Sequence, residues 1–136
     1  MKKYVCLLFL FFLMLAGCSN QEEQLTRVDA QKVNEEGKYE EEVIITDKEM
    51  IDLLKNSFKE VKWEPNTKAE MSRNEDVLAT LFYTFDKNMP ERLYEYRIWF
   101  NSNDSTTIIS NHEKEGYGTL DGKNSKIIKN VFLSKD

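Results

Sequence analysis

The run DVLATLFYTFD, residues 76–86, is followed after a short polar turn by LYEYRIWFN, residues 93–101. In the first, Val77, Ala79, Leu81, Tyr83 and Phe85 alternate with Leu78, Thr80, Phe82 and Thr84. In the second, Tyr94, Tyr96, Ile98 and Phe100 alternate with Leu93, Glu95, Arg97 and Trp99. A period of two is the signature of a strand with two unlike faces. The connection KNMPER is too short for the crossover that parallel strands need, so the two must pair antiparallel. Whatever else the chain forms has to be built around that hairpin.

The flanking segments extend it. The turn NSNDS offers Asn, Asp and Ser side chains that bond to nearby backbone, and TTIIS returns as a third strand. GYGTL reads as a short fourth, and YEEEVIIT, ending in the β-branched Val43, Ile44 and Ile45, as a strand earlier in the chain. Between them TDKEMIDLLKNSFKEV is helical. Ile51, Leu54, Phe58 and Val61 fall on one face, and Thr46 and Glu49 have the spacing of a capping box. Asp52, Lys55 and Lys59 fall on the opposite face. Residues 64–75 lack periodicity and read as a loop. DGKNSKIIKNVFL closes the chain as a second helix with Ile127, Ile128, Val131 and Phe132 in a stripe. Sequential strands and segregated helices imply an α+β fold. The expectation is a small two-layer sandwich: an antiparallel sheet of four to five strands with two helices packed on one face.

The N-terminus has a different character. Lys2 and Lys3 precede an apolar run from Tyr4 to Ala16. That run is shorter than the roughly 20 residues a spanning helix needs and fits the h-region of a signal peptide. It ends in Leu15-Ala16-Gly17-Cys18, which resembles the lipobox of bacterial lipoproteins at all four positions. That resemblance implies a diacylglycerol on the Cys18 thiol and cleavage between Gly17 and Cys18. Two acyl chains anchor stably where one is marginal. Cys6 lies inside the apolar run and leaves with it, so the mature chain keeps one cysteine and forms no internal disulfide. The expected organisation is residues 1–17 as signal peptide, 18–38 as lipidated cysteine and flexible polar tether, and 39–136 as the globular domain. Within the tether, SNQEEQLTRVDAQKVNEEGK has few apolar residues and no aromatic, and a short helix from Gln21 to Val33 could bury little.

The formal net charge of −5 becomes −7 once Lys2 and Lys3 are removed. An acidic chain is a poor nucleic-acid binder, because phosphate attraction needs clustered Lys and Arg. Lipid, not charge, would hold it at a membrane. No catalytic motif is visible. His112 is the single histidine, placed in a polar loop where it is expected to be exposed. Ser57, Ser72, Ser110 and Ser125 lie in no nucleophile motif. Zinc would need an unusual set of carboxylates, so no metal is expected, and no cofactor beyond the covalent diacylglycerol. Glu40 to Glu42, Glu113 and Glu115 read as solvated charge. The aromatics Phe82, Tyr83, Phe85, Tyr94, Tyr96, Trp99 and Phe100 crowd two neighbouring strands. Most are expected to fill the core. Trp63 and Trp99 are the residues singled out to contact a ligand or partner.

The lipobox, the polar tether, ITDKEMI opening a helix, a strand ending in YRIWF, and YGTL before a terminal helix together resemble the small YhfM-like lipoproteins of bacilli. The resemblance covers most of residues 39–133. It implies a lipid-anchored protein on the extracytoplasmic face of a Gram-positive cell membrane. It supplies no activity and no catalytic residues. Two function classes follow: a non-enzymatic binding or accessory lipoprotein contacting another envelope protein or a wall fragment, and a small envelope hydrolase using paired carboxylates. The lack of a nucleophile motif favours the first. Two carboxylates converging in a concave pocket would favour the second.

Overall fold

The computed structural model describes residues 23–134. The lipobox, Gly17 and Cys18 included, lies outside the described residues. The elements are β1 (Gln24–Lys32), β2 (Val43–Ile45), α1 (Lys48–Phe58), β3 (Lys62–Glu64), β4 (Val77–Thr84), β5 (Arg92–Phe100), β6 (Ser105–Ser110), β7 (Tyr117–Asp121) and α2 (Gly122–Leu133). The strands form one antiparallel sheet of seven in the order β2-β1-β4-β5-β6-β7-β3. The α+β class and antiparallel sheet agree with the sequence reading, but the sheet has more strands than the four to five expected. No helix among the described residues is long and apolar enough to cross a membrane.

The hairpin that organised the reading sits at the centre. Leu81 pairs with Tyr94 and Ala79 with Tyr96 across β4 and β5. One face of the sheet is mostly apolar: Val28, Ala30, Val77, Ala79, Leu81, Tyr96, Ile98, Ile108 and Leu120 form a single buried cluster with helix residues. Helix α1 contributes Ile51, Leu54 and Phe58, and α2 contributes Ile128 and Phe132. The cap of α1 differs from the expected capping box. Asp47, not Thr46, is the N-cap, its carboxylate accepting from the Met50 amide at 3.3 Å.

The largest correction concerns residues 18–38. Gln24–Lys32, expected within a flexible tether, is strand β1 and lies between β2 and β4. Leu25, Val28 and Ala30 are buried. The register slips between Leu25 and Arg27, a bulge that puts one extra residue into the strand. Leu25 and Val28 therefore both reach the core at a spacing of three, which in sequence imitates a weak helix. On the other face Arg27 and Asp29 form a bidentate pair at 2.7 and 2.8 Å.

The second addition is β3, between the segment read as a helix and the segment read as a loop. Trp63 lies opposite Gly118 of β7. A Cβ on Gly118 would come within 2.6 Å of the Trp63 ring and of a Val61 methyl. Glycine there is what lets the indole lie flat across the sheet edge.

Candidate functional site

At one end of the sheet β1 and β7 begin, β4 and β6 end, and the C-terminus of α1 comes down beside them. These ends enclose a cleft of about 220 Å³. Its walls are Phe58 from α1, Trp63 from β3, Tyr83 from β4 and Tyr96 from β5. The rings are tightly arranged: Phe58 meets Tyr96 edge-on at 5.2 Å, and Trp63 meets Tyr96 at 5.5 Å. Tyr94 stacks between Tyr83 at 5.0 Å and His112 at 4.6 Å. Strand alternation places Tyr83, Tyr94 and Tyr96 on this face, and Phe58 at the C-terminal end of α1 packs on the Tyr96 ring.

Two carboxylates line the same cleft, Glu23 and Glu115. Glu115 is fixed by its neighbours. The Tyr96 hydroxyl donates to both of its oxygens, at 2.8 and 3.0 Å, and the Ser110 hydroxyl donates at 2.8 Å. Ser110 Oγ in turn accepts from the His112 backbone amide at 3.0 Å. One oxygen of Glu23 is buried and takes no hydrogen bond among the described residues. Lys55 and Lys59 from α1 complete the rim. None of the ion pairs among the described residues involves Glu23, Glu115, Lys55 or Lys59. The cleft thus carries charge of both signs, in no ion pair among the described residues, beside aromatic faces.

The phenols here stay protonated. Burial, with nearby phenols and the Glu115 charge, pushes Tyr96 far above the ordinary range. Burial and Glu115 do the same to Tyr83. Tyr94 is pushed up to about 12 by burial and by Glu23. At neutral pH all three are hydrogen-bond donors.

The chemistry this permits is limited. Ser110 and His112 do come together, but the serine hydroxyl is committed to Glu115. The His112 ring stacks on Tyr94, and its Nδ1 accepts from the Lys114 amide at 3.2 Å. No imidazole is placed to take a proton from a serine, which nucleophilic catalysis needs. Ser125 is buried against Thr106 and Ser57 is buried on α1, while Ser72 is exposed. Among the described residues no three or more of His, Cys, Asp and Glu are grouped to hold a metal ion.

Of the two tryptophans singled out in the sequence, only Trp63 reaches the cleft. Trp99 has no exposed surface. It sits on the opposite face of the sheet, and its indole N–H donates to the Arg73 carbonyl at 2.9 Å. It pins the segment between β3 and β4 and cannot touch a ligand. The same segment supplies Glu75, a buried carboxylate that accepts from the Tyr39 hydroxyl at 2.7 Å and from Arg97 at 3.0 Å. Sequence reasoning also placed Glu115 and His112 in solvent. Both are half-buried, Glu115 in the cleft and His112 against Tyr94, because the six residues after Ser110 fold back across the sheet end. Glu115 sits five residues after a strand-ending serine, a spacing with no recognisable signal.

No family model and no curated protein matches the chain. Among solved structures, one described as a thioesterase-like protein from Clostridium sporogenes ATCC 15579 superposes with a TM-score of 0.56. The match covers 86% of this chain and 100% of that chain at 21% identity. At that identity the likeness is one of fold.

Proposed function

We propose that this protein is a membrane-anchored extracytoplasmic lipoprotein with a non-enzymatic binding role at the cell envelope, and that the cleft at the end of the sheet is its binding site. The observation that carries the second part is the combination of aromatic walls with charges outside any ion pair and, among the described residues, no nucleophile–base pair. A ligand with a polar ring, such as a sugar of a wall fragment, suits it. Ring hydroxyls would donate to Glu23 and Glu115, and the face of Trp63 would take the apolar side of the ring. The anchoring rests on the Leu15–Cys18 box and the run before it.

Titration of the mature chain with solubilised wall fragments, followed by tryptophan emission, tests the cleft. Trp99 is shielded, so a response should come from Trp63 and vanish in Trp63→Phe. A saturable response that survives that substitution would move the site elsewhere.

A second reading is a small envelope hydrolase. Two features favour it: Glu23 and Glu115 line one concave pocket, and the fold is shared with a protein described as thioesterase-like. Release of free thiol from acyl thioesters, or of reducing ends from wall polymer, abolished by Glu115→Gln, would establish that reading and displace the first.

A further inference from the structure

We infer that the hairpin tip joining β4 to β5 rests on the bilayer and holds the mouth of the cleft at headgroup level. Strand β1 begins at Gln24, only six residues after Cys18. Six residues, fully extended, span at most about 20 Å. The anchor therefore reaches the start of β1 and no further. Gln24 pairs with Thr84, the last residue of β4, and Tyr83 pairs with Arg92, the first of β5. The tip between them, residues 85–91, is thus the neighbour of the anchored end.

That tip has the composition of a membrane contact. Met89 is 57% exposed and Leu93, just beyond the tip and opposite Phe82 of β4, is 53% exposed. Arg92 lies over the Phe85 ring at 4.0 Å. The charges balance: Asp86 and Glu91 against Lys87 and Arg92. An acidic domain is repelled from an anionic surface, and this tip is locally neutral, so it is a part of the domain that can approach. Flexible apolar side chains beside paired basic residues fit the interfacial zone, where apolar atoms go down and charged heads stay wet.

The inference rests on anchoring at Cys18. Coupling the mature chain chemically through Cys18, its one thiol, to a maleimide lipid makes the test independent of whether cells lipidate it. Vesicles of phosphatidylcholine and phosphatidylglycerol, with and without brominated acyl chains, would carry the coupled protein. Met89→Trp adds a reporter at the tip, and Asn103→Trp adds one at the exposed turn at the other end of the sheet. Emission is read as the difference from the parent chain. The added emission of Met89→Trp should shift to the blue and be quenched by brominated lipid, and that of Asn103→Trp should do neither. Leu93→Trp serves as a second tip position and should behave like Met89→Trp. Equal quenching at both ends, quenching at Asn103→Trp alone, or no quenching at either end would overturn the inference.

Discussion

Trp63 and Trp99 show how differently one residue type can be used. Trp99 has no exposed surface and spends its N–H on a backbone carbonyl 26 residues away in sequence. Trp99→Ala should cost about 3–5 kcal/mol, from lost transfer energy and the cavity left behind. Trp63 is half-buried over Gly118, so Trp63→Ala should cost clearly less. Chemical denaturation of the two variants side by side checks the order, and the reverse order would mean the tryptophans are misassigned. Strand alternation was enough to put Trp99 opposite Ile98, but not to show what covers it. Its cover is an aperiodic segment whose docking depends on Arg73, Glu75 and Asp76 at once. Glu75 adds a pH dependence. Burial alone would raise its carboxyl, but bonds from Tyr39, its own backbone and Arg97 outweigh that and hold it below the ordinary glutamate range. A depressed folded pKa contributes stability that is present above the unfolded value, about 4.3, and is lost as pH falls through the folded value. Glu75→Gln should therefore lower stability at neutral pH and flatten the acid limb of a melting-temperature profile.

Among the elements, α1 follows its sequence pattern closely and β1 does not. Ile51, Leu54 and Phe58 are buried as the stripe requires, and Asp52 on the far face is exposed. Phe58→Ala should cost about 3–5 kcal/mol, and Asp52→Ala should be nearly silent. Equal melting of the two would place the helix the wrong way round. The sequence hid β1 because its bulge breaks the period of two, and because only Leu25, Val28 and Ala30 point inward. Yet β1 is hydrogen-bonded on both sides. Deleting residues 24–32 should unfold the domain rather than free it from a tether, which loss of cooperative melting and near-ultraviolet dichroism would report. A deletion that still melts cooperatively at the parent temperature would return β1 to the tether. Only residues 19–23 then separate Cys18 from the sheet, against the twenty first expected.

For the whole molecule, the proposed anchor predicts fractionation. Cys18→Ala should release the protein from membranes or leave an uncleaved precursor, and labelling by lipid precursors should disappear. Labelling of the variant at the parent level would sink the lipoprotein reading. Held on a membrane, copies of this chain would be confined to a plane, where collisions between sheet edges are far more frequent than in solution. Both edges of the sheet are three-residue strands, β2 and β3. Three glutamates, Glu40 to Glu42, stand directly before β2. Each of these edge strands offers a neighbouring copy few open backbone groups, and one of them carries a block of like charge as well. The shortness of these strands, which made β3 hard to see in the sequence, would disfavour edge-to-edge pairing between copies crowded in two dimensions.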